Sequence, residues 1–281
     1  MKSKVTLVTG FVKSPEVGGH SLEQYIERSK FTLSLDVPMI IFTDSSLLDR
    51  IVQARENLKD KTVIKHINTI KYNDQVDKIR SNRSKSHPHG YPDPRNTPWY
   101  FIITMNKFTW LKSAIDENPY DSEYFIWLDF GYNQPDSDPT LITDIINNIR
   151  DKFSCCLIDY FSEEYALWRP DIFYQYGGLT TVAAGLFTAP KDIMLQICDK
   201  IEEEFNTVIA QGYGHSEQQL MYVLMLKYSE LFDFYVGDYH CLLKNYIKPI
   251  DLSTTYNYLI PHILKDSNHQ LLKKVIDSIG R

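Results

Sequence analysis

The chain has 281 residues and a formal net charge of −6. That length allows one large α/β domain or two small ones, and the acidic balance removes the general electrostatic pull on which nucleic-acid binding relies. Hydrophobic residues make up 43% of the chain and aromatics 13%, enough apolar side chain for a full core, so disorder is not the default.

Val5-Thr6-Leu7-Val8-Thr9-Gly10 reads as a buried first strand ending in a glycine turn. Its apolar run is far too short for a secretory signal, and no later stretch approaches the ~20 apolar residues that span a bilayer. Ser21 with Gln24 three residues on forms a capping box, so a helix starts there. Residues 38–42 form a second strand, with Asp44 in its exit loop. A helix over about 47–58 leads to a third strand over 62–67. Strands alternating with helices predict an α/β fold: a doubly wound, mostly parallel sheet with helices on both faces. Ligands in such sheets sit beyond the carboxyl ends of the strands, which is where Gly10 and Asp44 fall.

Residues 68–98 break this pattern. The segment is basic and polar, with Lys78, Arg80, Arg83, Lys85 and Arg95, and a loop of that length is usually functional or disordered. It is expected to be a mobile basic flap on a single domain covering 1–281. The regular pattern resumes with a helix over 100–117 carrying Asn106-Lys107, a strand over 124–128, a helix over 139–151 and a strand over 154–158. A strand over 180–188, a helix over 193–209, a helix from Ser216 to about 228 and a last strand over 232–236 follow. The tail from about 241 ends in a helix over 268–279. The four cysteines, Cys155, Cys156, Cys198 and Cys241, include no C-x-x-C pair, which argues against structural zinc and fits a reducing compartment.

Asp129 is the strongest chemical signal. It follows Phe125-Ile126-Trp127-Leu128 directly, so a carboxylate leaves a buried strand at the ligand end of the sheet, a costly place unless it meets a cation or donors. The bland alternative is a turn, which Asp-Phe-Gly suits. Asp129-Phe130-Gly131 also spells the magnesium motif of protein kinases, but the Gly-rich loop, strand lysine and His-Arg-Asp loop are missing. Gly214-His215-Ser216-Glu217-Gln218 is the second signal: a glycine turn into a helix whose first turn offers His215, Glu217 and Gln218 to a ligand. Glu217 is a candidate base or nucleophile, with helix capping as the alternative. His240, with Asp238 competing, is a candidate to complete a metal site with Asp129. Lys107 suits a diphosphate as a point charge. Gly185, among small residues inside a strand, marks a ligand lying close to the backbone.

The order of motifs resembles the HtrL/YibB family of bacterial surface-polysaccharide gene clusters. The pieces that carry the resemblance are Val5-Thr6-Leu7-Val8-Thr9, Ile41-Phe42-Thr43-Asp44, Met105-Asn106-Lys107, Trp127-Leu128-Asp129-Phe130-Gly131-Tyr132, Gly237-Asp238-Tyr239 and Asn245-Tyr246. The resemblance implies a GT-A-like, nucleotide-sugar-dependent glycosyltransferase acting in surface polysaccharide or lipopolysaccharide synthesis. In GT-A enzymes an Asp-x-Asp at the strand end holds a divalent metal; here the third position is Gly131. The segment from Ala183 to Glu217 is more distantly similar to retaining galactosyl- and N-acetylgalactosaminyltransferases, with Ser216 in place of an aspartate. The expected roles are therefore Asp129 and His240 on Mn²⁺ or Mg²⁺; Thr9, Asp44, Lys107, Gly185 and Gln218 on the nucleotide-sugar; and Glu217 with His215 at the sugar. The expected partners are the donor and a glycan or glycolipid acceptor, with no nucleic acid. The expected location is cytoplasmic, with at most peripheral contact with the inner membrane face. The rival readings are a non-catalytic nucleotide- or glycan-binding module and a metal-dependent hydrolase or phosphotransferase.

Overall fold

A computed structural model of the chain describes residues 2–16, 20–86, 96–174, 181–214, 216–248 and 256–279. Its strands are β1 (Val5–Phe11), β2 (Met39–Thr43), β3 (Thr62–His66), β4 (Tyr124–Leu128), β5 (Ser154–Leu157), β6 (Val182–Pro190) and β7 (Tyr235–Val236). Its helices are α1 (Leu22–Ser34), α2 (Leu48–Ala54), α3 (Val76–Ser86), α4 (Pro98–Glu117), α5 (Pro139–Asn147), α6 (Glu163–Trp168), α7 (Pro170–Phe173), α8 (Lys191–Ala210), α9 (Glu217–Lys227), α10 (Leu242–Ile247), α11 (Tyr256–Lys265) and α12 (His269–Ile279).

The strands form one sheet in the order β3-β2-β1-β4-β6-β5-β7. β1 to β4 pair in parallel, while β6 runs antiparallel to both β4 and β5, and β7 is parallel to β5. The sheet is thus mostly parallel, as expected, with one reversed strand that the sequence pattern did not reveal. Because each strand alternates its side chains between faces, both faces must be covered. On one face Leu7, Met39 and Ile41 pack with Leu33 of α1, Ile51 of α2, Ile142 of α5 and Leu243 of α10. On the other, Val8, Ile40 and Phe42 pack with α4, α8 and α9, and with Leu259, Ile263 and Val275 of the C-terminal helices. α4 is buried along most of its length, which explains why it is apolar nearly all round rather than striped.

Local signals fix several starts. Ser21 caps α1: its hydroxyl accepts from the Gln24 N–H at 3.2 Å, and the Gln24 side chain accepts from the Ser21 N–H at 2.8 Å. Thr97 and Pro98 open α4, and Asp138 and Pro139 open α5, with proline at the first helical position where its missing N–H costs nothing. Two local readings are corrected. Gly10 does not end β1 in a turn. It lies inside the strand, where a Cβ would come within 2.6 Å of the Trp110 ring, so its glycine is required by close packing. Within 68–98, read as a loop, Val76–Ser86 is the helix α3. It has few apolar residues, and polar groups seat it: Asn82 donates to the carbonyls of Ile209 at 3.1 Å and Tyr213 at 2.9 Å, and Arg83 stacks on Phe101 at 4.6 Å. Residues 87–95 of that segment lie outside the described residues.

Gly10→Ala is expected to destabilise the fold by about 1–3 kcal/mol through overpacking against Trp110, read as a lower urea midpoint at unchanged slope. A variant as stable as the parent would remove the steric account of this glycine.

Candidate active site

A cleft of about 1690 Å³ opens at the carboxyl end of the parallel strands. Its floor is set by the junction of β4 and β6. Asp129 follows β4, and its N–H donates to the Gly185 carbonyl at 2.9 Å. Its carbonyl accepts from the Thr32 hydroxyl at 3.2 Å and from the Tyr132 N–H at 3.0 Å, so the backbone turns here while the carboxylate stays in the cleft. Trp127 and Asp129 are two residues apart and share a face of the extended chain. The indole Nε1 of Trp127 accordingly donates to Asp129 Oδ1 at 2.7 Å. Trp127 is itself held by stacking between Trp110 and Phe187, at centroid distances of 6.2 and 6.3 Å.

Lys107 reaches the same oxygen from α4. Its Nζ lies 2.9 Å from Asp129 Oδ1 and 3.0 Å from Glu217 Oε1, and donates to the Ala184 carbonyl at 3.1 Å. An ammonium has three hydrogens, and these three partners use all of them. Burial alone pushes this ammonium towards its neutral form, but the charges of Asp129 and Glu217 overcome that and hold it above the ordinary lysine range. Two carboxylates against one ammonium leave the cluster with one net negative charge. The two acids differ in access: the side chain of Asp129 is 38% exposed and that of Glu217 is 4% exposed. Among the described residues Asp129 Oδ2 accepts no hydrogen bond, and it lies 3.6 Å from where a Cβ on Gly185 would be.

Two tyrosines complete the rim. Tyr100, Thr104 and Lys107 all line the cleft, one and two turns apart along α4. Tyr239 stands across from them, before α10. Desolvation, followed by the charge of Glu217 for Tyr100 and of Asp129 for Tyr239, raises both phenols above their ordinary range, so both remain hydrogen-bond donors at neutral pH.

A family model described as "Bacterial protein of unknown function (HtrL_YibB)" covers residues 3–247. The chain belongs to the HtrL_YibB family. No curated protein matches it. Among solved structures, the apo form of mouse xyloside xylosyltransferase 1 is similar over 86% of this chain and 93% of that chain, at 12% identity and a TM-score of 0.42.

Of the residues singled out in this family member's sequence, Asp129, Lys107 and Glu217 meet directly, and Gly185, Gln218 and His240 line the same cleft. Thr9 and Asp44 do not. Thr9 is wholly buried inside β1 with its hydroxyl unpartnered. The Asp44 carboxylate is spent on the Lys13 N–H, at 2.8 Å, and on the N–H and hydroxyl of Ser46, so it shapes the loop after β1 rather than facing the cleft. His215 lies outside the described residues. Ser216 occupies the cap position of α9, but its side chain makes no capping bond. His240 is exposed, with Nδ1 3.0 Å from Gln134 Oε1. Among the described residues no three His, Cys, Asp or Glu side chains cluster as metal ligands, and no helix is long and apolar enough to cross a membrane. Tyr100 and the Trp127 indole were not anticipated. Both were within reach of the pattern, from the helical spacing to Lys107 and the strand spacing to Asp129.

Lys107→Met is expected to cost about 3–5 kcal/mol, because it strands the buried Glu217 carboxylate. The double variant with Glu217→Gln should lose less than the sum of the two single losses, as expected for a coupled pair. Simple additivity of the unfolding free energies would disprove the coupling. Because the folded state raises the Lys107 pKa, its contribution is complete below the unfolded value of about 10.4 and fades only as pH rises through the folded value. Unfolding midpoints should therefore show no loss from this group between about pH 6 and 9.

Proposed function

We propose that the chain is a glycosyltransferase that moves a sugar from a nucleotide-sugar donor to a hydroxyl of a glycan or glycolipid acceptor, in bacterial surface polysaccharide synthesis. The observation that carries this reading is the pair Asp129 and Glu217, clamped by one buried lysine at the floor of a large cleft beyond the parallel strands. The HtrL/YibB motifs, which span most of the chain, support the same assignment, as does a cleft large enough for a nucleotide-sugar together with an acceptor.

Glycosyl transfer breaks the bond between the anomeric carbon and the donor's phosphate oxygen. The electron pair leaves with the nucleoside diphosphate. The acceptor oxygen bonds to the anomeric carbon, and its proton must go to a base. Asp129 is the better placed of the two acids for that work, because its Oδ2 is open to the cleft while Glu217 is closed in. Lys107 and the Trp127 indole fix Asp129 Oδ1, so the carboxylate is oriented before substrate arrives. Glu217 keeps Lys107 in place and lines the wall beneath the sugar. Tyr100 and Tyr239 offer flat aromatic faces and hydroxyl donors to sugar or base.

The metal expected on Asp129 and His240 is not carried forward. Asp129 Oδ1 already accepts from an ammonium 2.9 Å away and from an indole, Gly131 stands where a second aspartate would be, and His240 is engaged with Gln134. Among the described residues this leaves Asp129 Oδ2 as a single uncommitted carboxylate oxygen, too few donors to fit a divalent cation, and no step is assigned to one.

A nucleotide-sugar at about 100 times its Kd should raise the unfolding free energy by roughly 2.7 kcal/mol. Screening donors by thermal shift, with turnover followed by release of nucleoside diphosphate, checks the reading. Asp129→Asn should keep donor-induced stabilisation and lose turnover by orders of magnitude. A fully active Asp129→Asn enzyme would end the catalytic assignment. Donor binding without turnover in the parent protein would leave a binding module instead, the reading that the glycine at position 131 favours. Glu217→Gln should lower turnover less than Asp129→Asn and also lower the unfolding midpoint, since it weakens the hold on Lys107. Normal turnover with a lowered midpoint would make Glu217 purely structural.

A further inference from the structure

The floor of the cleft carries a net negative charge, yet a nucleoside diphosphate brings two or more negative charges to it. Lys107 cannot offset them, because its three hydrogens are already committed to Asp129, Glu217 and Ala184. The cation must come from elsewhere. Gly131 marks the place. A Cβ built on it would lie 3.7 Å from Arg28 Cβ and 3.9 Å from Arg28 Nε, with the Tyr25 ring 3.6 Å away. The space beside the third position of Asp129-Phe130-Gly131 therefore faces a guanidinium from α1.

Arg28 lines the cleft together with Tyr25 and Asp129. It is half-buried and, among the described residues, makes no ion pair or hydrogen bond. A cation left unspent in a cleft whose other buried charges are paired is poised for an anion. A guanidinium matches a phosphate with two parallel hydrogen bonds. A second aspartate at position 131 would instead have faced Arg28 at close range and neutralised it, so the glycine and the arginine belong together chemically.

We propose that Arg28 binds the diphosphate of the donor, supplying beside Gly131 the positive charge that a divalent metal would otherwise bring, so that donor binding is independent of metal. The inference rests on the nucleotide-sugar reading of the cleft. Isothermal titration of the purified protein with UDP, GDP, CDP and ADP, and with the matching nucleosides, tests it in EDTA and in Mn²⁺. At least one diphosphate should bind equally well in both. Arg28→Gln should weaken that diphosphate about 10- to 100-fold, the worth of a charge-assisted pair, and leave the nucleoside unaffected. Arg28→Lys should fall between, because it keeps the charge and loses the fork. Unfolding midpoints equal to the parent's show that both variants are folded. Undiminished diphosphate affinity in Arg28→Gln, or binding that requires Mn²⁺, overturns the assignment to Arg28 and leaves the donor reading standing. A parent protein that binds none of the four diphosphates in either condition overturns both.

Discussion

An ammonium group taken out of water must find three acceptors or give up its proton. Lys107 finds them on three separate elements: Asp129 after β4, Ala184 within β6 and Glu217 at the start of α9. This one requirement ties the geometry of the site together. It fixes the rotation of α4, because Lys107 must face the sheet end. It also fixes the meeting of β4 with β6, because the Ala184 carbonyl must lie beside the Asp129 carboxylate. Tyr100 and Thr104 follow from the same rotation, being two turns and one turn before Lys107 on the same side of the helix.

The reversed strand makes that meeting possible. In register, Leu128 pairs with Leu186, so the earlier residues of β6 run past the end of β4 and continue beside β5, where Cys156 pairs with Ala183. Gly185 sits at the step. A Cβ there would come within 3.1 Å of the Leu242 side chain and 3.6 Å of Asp129 Oδ2, so close packing against Leu242 contributes to the choice of glycine. Behind the carboxylate, Trp110, Trp127, Phe187 and Phe108 form a continuous stack, the last pair at 5.5 Å. A rigid aromatic layer of this kind keeps the indole donor in place and excludes water from the buried side of the charge cluster.

The charges are divided by function. Lys107 is satisfied internally and orients two acids, whereas Arg28 lines the cleft with no ion pair or hydrogen bond among the described residues. That division explains how a carboxylate can stand at the strand end with no metal-ligand cluster among the described residues: the cost of its partial burial is met by a lysine and an indole. Asp44, which reads like a ligand contact at the end of β2, has a similar structural duty. By accepting from the Lys13 N–H, it shapes the loop that forms one lip of the cleft.

Much of this was present in the one-dimensional pattern. The alternation of apolar strands with capped helices determined an α/β sheet covered on both faces, and the polar ends of the strands determined which edge would carry ligands. Asp129 was legible because a carboxylate directly after four buried residues has no cheap explanation, and Glu217 because it opens a helix after a glycine turn. The sequence could not show that Lys107 joins them, since residues 107, 129 and 217 are brought together only by the crossing of α4 over the sheet. Nor could it give the direction of β6, because an apolar strand reads the same in either sense. The helix over 76–86 carries only two apolar core residues, Val76 and Ile79, and its other buried positions, Asn82 and Arg83, are polar, so hydrophobic periodicity does not mark it. Thr9 and Asp44 were read towards the ligand because position along a strand fixes the end of the sheet but not which way a side chain is spent. Composition and local pattern therefore determined the layers and the ligand-bearing edge, whereas the charge pairing depends on contacts between residues far apart in sequence, which only tertiary packing specifies.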